Sequence, residues 1–202
     1  IYPLNAPNPI KEEYFMNGKL EPTNSPYAMA KIAAIEIGDA VNKQYGNEVI
    51  NLMPTNLYGP NDRFSENDSH VIPGLIYRMH LAKIRKDQTF SIWGTGTPLR
   101  EFLYVDDLAS AIEFLLDVEW TNNILNIGSN HEISIKDLAY LIKEVLSFNG
   151  EILFDDSKPD GNPRKLLDSS LINSMGWKAS ENLESGPVSY THLTLPTSLI
   201  VW

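Results

Sequence analysis

Two rhythms of apolar residues alternate along the chain. From Tyr27 to about Tyr45 Ile32, Ile35, Ile37 and Val41 supply the apolar positions of a helix, and Gly46-Asn47 provides the residues that end one. Pro26, just ahead of Tyr27, suits a first helical turn. Glu48 to Met53 reads as a short buried strand, which Pro54-Thr55-Asn56-Leu57 leaves as a polar loop. Residues 59–70 are polar again, and Pro73 opens a helix to about Ile84. Phe90–Trp93 is a strand with a tight turn at Gly94–Gly96, and Arg100–Val105 is another, ahead of a helix over Leu108–Leu116. Asn123–Ile127 is a strand. Ser134 caps a helix in which Leu138, Leu141, Ile142 and Val145 recur at helical period. Glu151–Phe154 is a strand, 156–164 a loop, and Leu166–Met175 a short helix. Strands alternating with helices predict an α/β fold with a parallel sheet.

Composition narrows the function more than the fold. A chain of 202 residues with 43% hydrophobic content suits one or two domains with a core. A net charge of −10, with no basic stretch, argues against a nucleic-acid or membrane surface. No apolar run approaches the roughly 20 residues that span a bilayer, and cytoplasm is the default location. With no cysteine there are no internal disulfides or thiolate metal sites, and no metal is expected. Asp106-Asp107 invites a metal reading, but acids at a helix amino terminus cap free N–H groups and meet its dipole, and capping is the expectation.

The chemistry centres on Tyr27 and Lys31, one helical turn apart and on one side of the helix. A cation beside a phenol favours phenolate and lowers its pKa from about 10. A phenol so tuned exchanges a proton with a carbinol or carbonyl oxygen. The same spacing also occurs in any exposed helical pair. Small residues at Ala28, Ala30, Ala33 and Ala34 would let the helix approach a sheet or a cofactor closely. No strand is followed by a dinucleotide-binding glycine loop; after Gly94-Thr95-Gly96 come Pro98 and Arg100 where a third glycine would open a helix.

The run Leu20–Ala33, reading Leu-Glu-Pro-Thr-Asn-Ser-Pro-Tyr-Ala-Met-Ala-Lys-Ile-Ala, resembles the catalytic helix of the extended short-chain dehydrogenases/reductases. Within that family it is most similar to the enzymes that epimerise and reduce GDP-4-keto-6-deoxymannose. The similarity continues in order through Met53–Asp62, Asn67–Pro73, Trp93–Pro98, Arg100–Phe102 and Ser157–Asp168. Two departures are Tyr104, where a histidine is common, and a short loop between Leu116 and Asn123.

The resemblance implies an NADP(H)-dependent enzyme that epimerises a GDP-sugar at C3 and C5 and reduces its C4 ketone, giving GDP-L-fucose. Tyr27 would hydrogen-bond the ketone oxygen and protonate the alkoxide. Lys31 would bind the nicotinamide ribose. His70 would share the acid–base work of epimerisation with a cysteine. Pro54, Thr55, Asn56 and Leu57, with Lys31 and His70, would contact the cofactor. Arg78 and Arg100 match positions that hold the diphosphate, a task suited to planar guanidinium groups. Trp93 and Asp160 match substrate contacts. From the residues alone, a lone histidine such as His70 is more often a surface or packing residue, Trp93 is as readily a core aromatic, and a plain turn competes for Asp160. His80, His131 and His192 stay in the ordinary structural class, and Arg63, Arg85 and Arg164 are expected in surface salt bridges.

The same resemblance implies a doubly wound parallel sheet of the Rossmann type, in a homodimer. Residues 1–58, with 100–128 returning to them, would belong to the NADP-binding domain, and 59–187 mostly to a smaller substrate domain. Ile1-Tyr2-Pro3 matches the end of the motif that carries the cysteine, so the expected Ser and Cys and the glycine loop would precede residue 1. Residues 188–202 read as a non-native tail, and the isolated chain is expected to be inactive. Two rival readings stand: another nucleotide-sugar epimerase or dehydratase of this family, and a catalytically silent nucleotide-binding relative.

Overall fold

Helices follow strands in the expected alternation in the computed structural model, which describes residues 1–66, 68–119, 123–181 and 183. The tail read from 188–202 lies outside these residues. Residues 1–24 form a loop with short 3-10 turns at Glu12–Tyr14 and Pro22–Asn24. Helix α1 (Ser25–Tyr45) follows, with Pro26 in its first turn and Gly46 ending it in the left-handed conformation. It buries Ala28, Ile32, Ile35 and Gly38, whereas Ile37 is 64% exposed. Position 37 lies about 200° around the helix from 35, which puts this apolar residue on the outer face. Ala30, Ala33 and Ala34 are likewise exposed, and of the four alanines Ala28 alone makes the close approach.

Strand β1 (Asn51–Pro54) pairs in parallel with β5 (Ile124–Ile127). Strand β2 (Asn56–Tyr58) pairs in parallel with β4 (Leu99–Tyr104), and β3 (Thr89–Trp93) with β7 (Glu151–Asp155). Two further short strands flank β4: β6 (Glu132–Ser134), antiparallel, and β8 (Arg164–Lys165), parallel. Parallel pairing dominates, as the α/β reading requires. Strands β2, β6 and β8 were not expected; at two or three residues they are too short to show a period. The helix expected over 166–175 is only α5 (Ser170–Met175). Leu166 and Asp168 instead bond the backbone of Ile10, whose N–H meets Leu166 O at 2.8 Å and whose O accepts from Asp168 N at 2.8 Å. Pairing with a distant loop overrides the local propensity.

Three apolar clusters hold these elements. Helix α2 (Val71–Arg85) buries Ile72, Leu75, Ile76 and Met79 at helical spacing. With Leu138, Ile142 and Leu146 of α4 (Ile135–Leu146) they cover Phe90, Ile92 and Ile152 of β3 and β7. Ser134 caps α4 as expected, its Oγ accepting from Asp137 N at 2.9 Å. A second cluster joins Ala111 and Leu115 of α3 (Val105–Leu116) to Leu125, Ile127, Ile172 and Trp177. A third sets Ile35 of α1 on Met53 and Ile124. Strand β4 divides the first two: Phe102 enters one and Leu103 the other, as side-chain alternation requires.

The capping expected of Asp106-Asp107 needs correction. The residue preceding α3 is Tyr104, without a side-chain cap bond, and both acids lie inside the first turn, where the dipole favours them. Asp107 turns inward, and its carboxylate accepts from Ser180 N at 2.9 Å, Ser180 Oγ at 2.8 Å and Glu181 N at 3.1 Å. Among the described residues no group has metal-ligand geometry, and no helix is long and apolar enough to cross a membrane.

Candidate active site

The start of α1 is set by Glu21. Its carboxylate accepts from Thr23 N at 3.1 Å, Thr23 Oγ1 at 2.6 Å and Asn24 N at 2.8 Å, locking the turn that runs into the helix. Two residues into the helix Tyr27 is 57% exposed, and the Lys31 Nζ stands 5.6 Å from its ring centroid. Phenol and ammonium thus share one exposed face, and Lys31 enters no salt bridge among the described residues.

At the carboxyl end of β1 the expected loop is shorter than the sequence suggested. Pro54 is the last residue of β1, and Asn56 and Leu57 already belong to β2, which leaves Thr55 alone between them. The reason is pairing: Thr55 N bonds Ile127 O at 3.0 Å, while Thr55 Oγ1 and Asn56 Nδ2 reach Glu101 O at 3.3 and 2.9 Å. Pro54 and Asn56 remain exposed at the strand exit, where ligands meet sheets of this kind.

A second group gathers around Asp160. Its Oδ1 accepts from Thr95 N at 2.7 Å and its Oδ2 from Thr95 Oγ1 at 2.8 Å, which ties the turn after β3 to the 156–164 loop. Trp93, at the head of that turn, is 72% exposed, with Lys158 Nζ 6.0 Å from its ring, so its place in the core is ruled out. On β4 Arg100 is half-buried, its Nη1 donating to Leu99 O at 2.7 Å. Burial lowers the pKa of Arg100 and the charge of Asp160 opposes that. Register pairs Arg100 with Lys165, a residue not singled out from the sequence. Burial and then Arg100 hold the Lys165 ammonium below its ordinary pKa, with Glu21 acting the other way. A half-buried guanidinium and an exposed ammonium side by side, near the turn that leads into Tyr27, suit an anion. A lysine in a two-residue strand carries no local signal; only the pairing with Arg100 reveals it.

His70 directly precedes α2, exposed, its carbonyl accepting from Gly74 N at 2.9 Å. Arg78, two turns along, is half-buried over the Phe90 ring at 5.8 Å, its Nε donating to Gly74 O at 3.2 Å. Burial lowers its pKa, and the charge of Glu66 opposes that. The structure therefore brings together Trp93, Asp160, Arg100 and Lys165, with Glu21 linking them to the helix of Tyr27 and Lys31. No hydrogen bond or ion pair among the described residues joins His70 or Arg78 to that group. Arg63 and Arg164 form surface salt bridges as expected, with Asp68 at 2.8 Å and Glu132 at 2.6 Å.

Comparison with known proteins matches residues 1–128 to the NAD dependent epimerase/dehydratase family. A probable GDP-L-fucose synthase 1 of Oryza sativa subsp. japonica is 53% identical over 188 residues, which cover 93% of this chain and 57% of that protein. The GDP-L-fucose synthase of Escherichia coli (strain K12) is 43% identical over 198 residues, covering 94% of this chain and 62% of the enzyme. Among solved structures, a GDP-L-fucose synthetase from Naegleria fowleri bound to NADP superposes with a TM-score of 0.88 at 28% identity, over 95% of this chain and 62% of that one. The chain thus spans about three-fifths of the length of the relatives it matches.

Proposed function

From the premise that the chain belongs to the NAD dependent epimerase/dehydratase family, we propose that it serves the NADPH-dependent epimerisation and reduction of GDP-4-keto-6-deoxymannose to GDP-L-fucose. The observation that carries this reading is the Tyr27–Lys31 pair, phenol and ammonium on one exposed helical face. The high identity to GDP-L-fucose synthases supports it. Residues 1–58 and 100–128 would form the cofactor side, and 59–187 most of the substrate side.

The donor set fits the cofactor. Lys31 has an ammonium free to donate to ribose hydroxyls, and Thr55, Asn56 and Leu57, with Pro54 and His70, would line the nicotinamide end. When bound, NADPH supplies hydride to C4. Tyr27 hydrogen-bonds the C4 oxygen, which stabilises charge there while C3 and C5 lose protons, and afterwards protonates the alkoxide. His70 is the proton donor in epimerisation. Arg100, Lys165 and Arg78 hold the diphosphate, with Trp93 and Asp160 beside the nucleoside. Met29 and Ile37, exposed on α1, support a homodimer that covers them.

The test is the full-length protein with NADPH and GDP-4-keto-6-deoxymannose, followed by NADPH absorbance and product mass. Tyr27→Phe keeps the ring and removes the proton, so reduction falls about 10²–10⁴-fold with little change in substrate affinity. A near-normal rate in that variant refutes the role of Tyr27.

A further inference from the structure

Beneath the two cations lies a carboxylate that the proposed chemistry does not use. Glu101 is completely buried. Its Oε1 accepts from Asn130 N at 2.8 Å and its Oε2 from Leu167 N at 3.0 Å. Its surroundings leave it no slack, since a Cβ placed on Gly128 would stand 2.4 Å from Oε1. Burial raises its pKa above the usual carboxylate range, while the bonds from Leu167 and Asn130 act against that. A buried charge is retained at such a cost only where several donors meet it.

Alternation along β4 sends Arg100 and Glu101 to opposite faces. Arg100 pairs in register with Lys165, and Leu167 stands two residues beyond Lys165. The carboxylate therefore holds the chain just past the end of β8, two residues beyond the lysine. The backbone carbonyl of Glu101, by contrast, holds Thr55 and Asn56. We infer that Glu101 is a positioning residue that fixes Lys165 beside Arg100, so that both cations meet one diphosphate. The inference rests on the function proposed above and adds a residue to it that touches no ligand.

Glu101→Gln separates the two grips. The amide has the same shape but one acceptor oxygen, and its NH₂ group opposes one of the two N–H donors. The backbone carbonyl that holds Thr55 and Asn56 is unchanged. GDP affinity, measured by calorimetry on the full-length protein, should fall about tenfold or more, while NADP⁺ affinity stays within about threefold. Leu146→Ala, a core truncation between α2 and α4, controls for stability and should leave GDP affinity unchanged. If Glu101→Gln does not fold, Glu101→Asp decides in the same titrations, because its shorter arm cannot reach both amides. Equal loss of both ligands, or an equal loss of GDP binding in Leu146→Ala, reduces Glu101 to a general structural role and overturns the inference. Unaltered GDP affinity in the Glu101 variant overturns it alone. A wild-type protein that binds neither ligand overturns the proposed function and this inference with it.

Discussion

Replacing Gly94 with alanine strikes the turn that joins Trp93 to Asp160, and two costs are visible there. Gly94 has φ of +83°, a backbone region in which a side chain costs about 1–3 kcal/mol. The new Cβ would also lie 2.3 Å from Asp160 Oδ1, so the carboxylate must swing away and release Thr95 N and Thr95 Oγ1. Each of those bonds contributes about 0.5–1.5 kcal/mol net, nearer the lower figure at this partly exposed site. Together they give a destabilisation of about 2–4 kcal/mol. Asp160→Ala alone loses the two bonds and should cost about 1–2 kcal/mol. In the double variant the clash is gone and the bonds are lost once, so its cost should match Gly94→Ala and fall short of the sum by about 1–2 kcal/mol. Urea unfolding followed by circular dichroism on the three variants measures the cycle. Strict additivity, or a Gly94→Ala cost under about 0.5 kcal/mol, would refute the clash.

Ser157→Ala tests a local electrostatic device. The Ser157 hydroxyl, donating at 2.5 Å, and then its N–H hold the Asp155 carboxyl below the usual range, so its removal should move the Asp155 pKa upward in a carbon-detected NMR titration. A depressed carboxylate pKa contributes stability above the unfolded-state pKa and loses it as pH falls through the folded one. The variant should therefore be less stable than wild type at neutral pH, with the difference vanishing in acid. His70→Gln should reduce solvent-deuterium exchange at C3 and C5 of the keto sugar by about 10²-fold or more, and slow hydride transfer at saturating NADPH much less. Wild-type exchange, read by mass spectrometry, would return His70 to the surface class.

What the sequence showed well was what is local. The α1 helix, its Gly46 end, the Ser134 cap and the Tyr27–Lys31 spacing each depend on residues within a turn or two of one another, and the structure has them all. The errors are places where a distant partner decided. Leu166–Asp168 is extended because Ile10 pairs with it, and Asp107 turns inward because Ser180 and Glu181 meet it. Ile37 shows a different limit: an apolar residue on a helix does not by itself say which face is covered.

The same division runs through the site. Tyr27 and Lys31 are four residues apart and are legible as a pair from one line of sequence. Arg100 and Lys165 are 65 residues apart, and only the β4–β8 register makes them neighbours. The polar groups that hold such registers are invisible for the same reason. Asn126, completely buried on β5, collects Tyr2 Oη at 2.6 Å on its Oδ1 and donates from Nδ2 to Ile10 O at 2.9 Å and Asp168 O at 3.2 Å. An asparagine in a strand reads as a poor strand former; in place it satisfies three groups from two distant segments that a hydrophobic residue would leave unpaired. Glu101 does the same from β4. The loop of residues 1–12 and the strand that carries Lys165 are thus pinned by buried polar side chains on β5 and β4. A site assembled from short strands and loops has little apolar surface of its own to set its geometry, so hydrogen bonds to a rigid sheet must do so.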